Sequence, residues 1–211
     1  MAPDTNRLDD PGHQAPNPAA WRPEATRRRA DAERNIAAIL EAGLACFSRN
    51  PDASLAEVAQ AAGVGRVTLY GHFPSRQELM DAVFAHALAK ANAVLDAEAI
   101  DHGAASDALS RLIRSSWPIL AQHRGLLAAA QRELPPARIR RHHDQAMARV
   151  ERLIARGQDE GDFRTDLPRP WLVATFYSLM HTAAEEVDAG RLDPAQAGGV
   201  LATTILAALA A

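Results

Sequence analysis

Arg66, Val67, Thr68, Tyr70, His72 and Arg76 lie close together in the sequence. All but Val67 carry a side-chain donor, and the set suits the edges and backbone of a nucleic acid. Arginine can grip guanine through two parallel bonds, and a threonine methyl can lie against the thymine methyl. Tyrosine, histidine and arginine can also hold phosphate oxygens, which positions a protein on a duplex without reading it. This chemistry is recognition, not bond making. The chain has no glycine-rich phosphate loop, no Gly-x-Ser-x-Gly elbow and no His-Glu-x-x-His, so no catalytic residue is assigned and no enzyme activity is expected.

Other reactive side chains read more plainly. His181 and Glu185 are one helical turn apart and could share a metal, but no third ligand accompanies them. His142 and His143 are adjacent, so on a helix they point about 100° apart. Cys46 stands beside Phe47 in a helical stretch and reads as a small core residue; as the single cysteine it excludes an internal disulfide. No metal and no cofactor is expected.

The elements that must hold the recognition strip are short and well punctuated. Ser54 is a good N-cap, and Glu57 three residues on completes a capping box. Leu55, Val58, Ala59 and Ala62 supply an inner face, and Gly63 stops that helix. Val64-Gly65 makes a tight turn, and a third helix is predicted over residues 66–72, closed by Pro74. Ser75 then caps a long helix over 76–99. Before all of these, Ile36, Ile39, Leu40, Leu44 and Phe47 form one apolar stripe of a helix over 28–49. Val58, Val64, Leu69 and Phe73 lock the crossing of the two short helices. The pattern has the dimensions of a helix-turn-helix.

The segment resembles the TetR family of bacterial regulators. The matching residues are Ala56-x-x-Ala59-x-x-Ala62-Gly-Val64, then Thr68-Leu-Tyr-x-His-Phe73, then Ser75-Arg-x-x-Leu79, within residues 34–84. The resemblance implies that Arg66, Val67 and Thr68 face bases in the major groove. It also implies that Tyr70, His72 and Arg76, beside the capping Ser54, hold the backbone. Two positions depart from the family pattern. Gly65 stands where a capping serine is usual, and Gly71 where a larger residue is common.

Further helices are predicted over 104–117 or a little beyond, kinked or interrupted by Pro118, and over 125–134, 137–160, 168–189 and 193–210. No strand and no internal repeat is expected. The fold class is therefore all-α: an N-terminal three-helix helix-turn-helix DNA-binding domain (28–76) behind a polar, proline-rich arm (1–27) expected to be disordered, and a helical-bundle regulatory and dimerisation domain (77–211). The resemblance implies dimerisation through the last two helices, and their apolar content agrees, with Trp171, Leu179, Leu201, Ile205 or their neighbours in an isologous contact. It also implies an inducer. Trp117, His123, Phe176, Tyr177 and His181 offer an apolar wall with polar tips for one. Arg138, Arg140, Arg141 and Arg149 read as a solvated basic face.

Composition is consistent with this scheme. The chain has 211 residues, a formal net charge of -3 and 47% hydrophobic residues. Alanine is abundant and valine and isoleucine are scarce, which favours helices. Lys90 is the only lysine. Overall acidity does not exclude nucleic acid, because only one face must be basic. No apolar run approaches the ~20 residues of a membrane span, and a cytoplasmic location is expected. The expected partners are double-stranded operator DNA, a second copy of the chain and a small-molecule effector. Three functions stay open: a repressor released by a ligand, a DNA-binding regulator without one, and a small-molecule-binding helical protein with a vestigial reader.

Overall fold

Alanine-rich, capped segments form ten helices among the described residues of the computed structural model, which are 24–96 and 102–211. They are α1 (Glu24–Arg49), α2 (Leu55–Ala61), α3 (Arg66–His72), α4 (Arg76–Asp96), α5 (Ala105–Gln122), α6 (Arg124–Glu133), α7 (Pro136–His142), α8 (Asp144–Glu160), α9 (Arg169–Asp188) and α10 (Pro194–Leu209). The chain divides into two compact units, Met1–Arg34 and Asn35–Ala211. Of the first, the described part is the start of α1, where Arg34 and Asp31 pair on the exposed surface. The arm expected over 1–27 lies outside the described residues up to position 23, and helix is already present from Glu24.

The second unit has two apolar clusters. One surrounds α5, whose Leu109, Ile113 and Trp117 pack with Ile154 of α8, Phe176 of α9 and Leu201 and Ile205 of α10. The other joins Ile39 and Phe47 of α1, Val58 of α2, Leu69 of α3, and Leu79, Met80 and Val83 of α4. It continues into Leu126 and Ala130 of α6 and Ile139 of α7. The three helices of the reader do not close their own core; α4 and α6 complete it.

Two predicted boundaries change. Helix α5 runs through Pro118 instead of stopping at it. Proline costs the helix one backbone bond, but α5 packs against other helices and stays helical to Gln122. Ser116 Oγ, two residues before the proline, donates to the Leu112 carbonyl at 2.6 Å. The single helix expected over 137–160 is two, broken at His143 (φ −88, ψ −2). Its Nδ1–H donates to the Ile139 carbonyl at 2.8 Å, satisfying an acceptor at the end of α7. Asp144 then opens α8 with a negative charge where the helix dipole favours one.

Gly125 marks the closest approach of α6 to α1. A Cβ there would press into the Ser48 carbonyl oxygen and come within 3.0 Å of the Phe47 carbonyl oxygen. Backbone cannot rotate away as a flexible side chain can. Gly125→Ala is therefore expected to destabilise by about 1–3 kcal/mol through overpacking. Thermal unfolding measures this; an unchanged melting temperature would mean that α6 slides freely on α1.

Candidate nucleic-acid interface and helical cavity

The reader is assembled from its caps outward. Ser54 Oγ accepts from the Glu57 N–H at 3.2 Å, and the Ser54 N–H donates to Glu57 Oε2 at 2.6 Å, closing the expected capping box. Hydrogen bonding from Ser54 to the carboxylate, from its backbone N–H foremost and then from its side chain, holds the Glu57 carboxyl below its ordinary pKa. Gly63 turns the chain with φ +67, a conformation that side chains resist. The Val64 N–H then reaches back to the Ala59 carbonyl at 3.0 Å. Leu69 is fully buried and Phe73 nearly so, which fixes the rotation of α3.

That rotation leaves Arg66, Val67 and Tyr70 exposed, while Thr68 and His72 are half-buried at the edge of the same surface. Val67 is 87% exposed, the most exposed of the large hydrophobic residues that stand on the surface. An apolar side chain on this helix is suited to a thymine methyl. Gly65 caps α3 without a side-chain bond. Gly71 faces open space.

Arg76, expected at a phosphate, is engaged by groups of its own chain. Its Nε donates to Glu133 Oε1 at 2.7 Å, one terminal nitrogen donates to the Pro51 carbonyl at 2.9 Å, and the other donates to the Ala53 carbonyl. The guanidinium also lies over the Phe47 ring, 5.1 Å from its centre. The loop after α1 leaves carbonyls without helical partners, and a forked cation at the start of α4 collects them.

Behind the reader, α4, α5, α6, α8 and α9 enclose a cavity of about 130 Å³. Phe84 and Leu88 of α4, Ile119 of α5, Leu126 of α6, Met147 of α8 and Met180 of α9 are among its apolar walls. Of the residues singled out in the sequence for a ligand, His123, Phe176, Tyr177 and His181 line it together. Trp117 does not. It faces the other way on α5, where its Nε1–H donates to the Pro194 carbonyl at 3.2 Å and its ring lies against Gly198 of α10. Its neighbours Ser116, Ile119 and Leu120 take the cavity side.

Three rings cluster at one wall: Tyr177 and His181 are 4.2 Å apart between centroids and tilted by 32°, and His143 meets them edge-on at 5.2 Å and 5.1 Å. Burial lowers the pKa of His143, and burial with His143 nearby lowers that of His181 to about 4. Both are neutral at pH 7. His143 donates from Nδ1, so its Nε2 is an acceptor. Burial also raises the Tyr177 hydroxyl above its usual value. His123 is lowered by burial, and its Nδ1 lies 3.0 Å from Ser48 Oγ, joining the cavity wall to α1.

The sequence reading did not find Asn92, His143 or Arg149 as cavity residues. Arg149 is 3% exposed, not part of a solvated face. A signal existed: Arg149 and Asn92 each occupy an apolar slot, with Ala146, Val150 and Leu153 around the first and Leu88 and Leu95 around the second. Among the described residues no cluster of metal-ligating groups is present, and no helix is long and apolar enough to cross a membrane.

Comparison with known proteins agrees with this architecture. Residues 39–83 match the family model of bacterial regulatory proteins, tetR family. The HTH-type transcriptional repressor LfrR of Mycolicibacterium smegmatis is 27% identical over 161 residues, covering 75% of this chain and 82% of that protein. The HTH-type transcriptional regulator NfxB of Pseudomonas aeruginosa is 27% identical over 146 residues, covering 67% of this chain and 76% of its own. A TetR-family transcriptional regulator from Agrobacterium tumefaciens shares the fold, with a TM-score of 0.68 at 19% identity over 85% of this chain and all of that one. These relatives are regulators of transcription rather than enzymes. With the helix-turn-helix geometry in residues 54–73 and the helical domain behind it, the chain resembles the bacterial regulatory proteins of the tetR family, and the comparisons support a TetR-family regulator of transcription.

Proposed function

We propose that the protein is a homodimeric repressor that reads a two-fold operator with α3 and lets go when a small molecule occupies the cavity. The observation that carries this is the double duty of α4. Its first half places Leu79, Met80 and Val83 in the core of the reader, and its second half places Leu88, Asn92 and Leu95 on the cavity. Ligand pockets usually have ~300–1,000 Å³, so a ligand must widen the present 130 Å³. Widening moves α4, and the two recognition helices leave the spacing of about 34–36 Å that successive major grooves set. LfrR, named a repressor, has been crystallised with proflavine, which supports a small-molecule ligand for a protein of this fold. Because binding is reciprocal, operator and ligand weaken one another by the same factor.

The dimer surface in this reading is the outer side of α9 and α10. Trp171 is 62% and Val200 46% exposed, with Leu179 half-buried beside them. Leu201 and Ile205 are consumed by the core of their own chain and support the surface from beneath.

Reader variants test the DNA half of the proposal. Arg66→Ala and Thr68→Ala are expected to change which sequences are selected from random duplex, by about 1–3 kcal/mol per altered base. His72→Ala is expected to weaken all sequences alike and to lower the salt slope by about one. The selected site is expected to be palindromic and the complex two-to-one by sedimentation. Unchanged preference in the first two variants, or a monomeric complex, would sink the assignment.

A further inference from the structure

Among the described residues, three polar or charged side chains are buried: Asn92 at 6%, His143 at 9% and Arg149 at 3% exposure. All three line the same cavity. A folded chain gains little by burying a charge for stability alone, since apolar residues of similar volume usually serve as well or better. Their convergence on one cavity points to something they receive there.

The sign of the charge narrows what that is. The cavity lining contains Arg149 and no aspartate or glutamate. Burial disfavours the charged forms of His123, His143 and His181, so Arg149 is the charged side chain of the lining, and its counter-charge, Asp96, is not part of that lining. A cationic ligand meets no carboxylate within these walls. The guanidinium is held by two acceptors from α4. It donates to Asn92 Oδ1 at 3.3 Å and to the Asp96 carboxylate. Asp96 is the last residue of α4 and its side chain is 54% exposed. A carboxylate so placed regains water readily when it lets go. Arg149 has no such freedom: buried and unpaired, its charge is costly. Whatever displaces Asp96 must therefore bring a negative charge of its own.

We propose that the cavity takes an apolar molecule with an anionic head, and that Arg149 holds that head in exchange for Asp96. This rests on the reading of the cavity as a ligand site and adds the chemical class of the ligand and the contact it replaces. The exchange frees the last turn of α4 from α8. Asn92, one turn earlier, keeps its bonds to Arg149 and to Gln145 of α8, so the exchange removes the ion pair and loosens the end of α4 alone when the ligand enters. The apolar walls and the ring cluster of His143, Tyr177 and His181 receive the body of the molecule.

Two probe series of constant shape test this on the full chain by calorimetry: 2-naphthoate, 2-naphthalenemethanol and 2-naphthylmethylammonium, and octanoate, octanol and octylammonium. The carboxylate of each series is expected to bind at least about tenfold more tightly than the alcohol, as a charge-assisted bond allows, with the ammonium weakest. Arg149→Met is expected to erase the advantage of the carboxylate over the alcohol. Asp96→Asn, at an exposed position where folding is not at stake, is expected to strengthen carboxylate binding because the internal competitor is gone. An alcohol or ammonium that binds as tightly as the carboxylate overturns the anion assignment while leaving the ligand site standing. Carboxylate affinity that stays level or falls in Asp96→Asn overturns the exchange, even if Arg149→Met fails to fold. Binding by none of the six overturns the proposal and the ligand reading together.

Discussion

Replacing Arg76 by alanine is expected to lower the unfolding free energy by about 2–4 kcal/mol and to leave the salt dependence of operator binding unchanged. Three acceptors lose their donor at once: the Glu133 carboxylate and the carbonyls of Pro51 and Ala53. Neither side chain of the ion pair is more than 30% exposed, so water replaces the lost bonds poorly. The bond to Glu133 also ties α4 to the end of α6, and the two carbonyl bonds tie it to the loop before α2. For a chain of this size each kcal/mol shifts the melting temperature by about 2–4 °C. Arg76→Lys keeps the charge but not the planar fork that serves three directions, so it is expected to recover less than half of the loss. Melting curves of both variants, with binding measured over a range of salt, decide the matter. Native stability together with a shallower salt slope in Arg76→Ala would return this residue to the phosphate backbone.

Acidification is expected to open the cavity region before it unfolds the rest. His181 has a folded-state pKa of about 4 against an ordinary 6.5, and His143 is lowered in the same direction. With the folded pKa below the unfolded one, the unfolded chain binds more protons across the interval between them. Stability therefore rises with pH through that window: it is fully present above about 6.5 and is lost as pH falls towards 4. For His181 alone the loss by pH 4 is on the order of 3 kcal/mol, since the two pKa values lie about 2.5 apart and each pKa unit is worth about 1.4 kcal/mol. The guanidinium of Arg140, 5.0 Å over the Tyr177 ring, adds to the resistance against a second and third positive charge. His181→Phe keeps the ring in the cluster and removes the titration. It is expected to flatten the stability profile between pH 7 and 4 by that amount. A variant profile parallel to that of the wild type would show that the loss lies in other groups.

Much of this protein is written in local signals. The capping box at Ser54, the turn at Gly63 and the apolar stripe of α1 each depend on neighbours within a few residues, so the sequence alone determines a helix-turn-helix, its place in the chain and the all-α class. The outward set of Arg66, Val67 and Tyr70 follows from the burial of Leu69 and Phe73, again at helical spacing. The tertiary structure decided what depends on contacts between distant segments. Arg76 has the local look of a phosphate contact, yet its partners come from the loop after α1 and from Glu133, 57 residues away. Trp117 and His123 lie on one predicted wall, but packing turns the first towards α10 and the second to the cavity. Pro118 carries the local mark of a helix end, and the helices around α5 override it. Arg149 reads as one of four surface arginines until α4 brings Asn92 and Asp96 against it. A helical period states which residues share a face; only the fold states what that face meets, and a buried charge acquires its meaning from the partner that is brought to it.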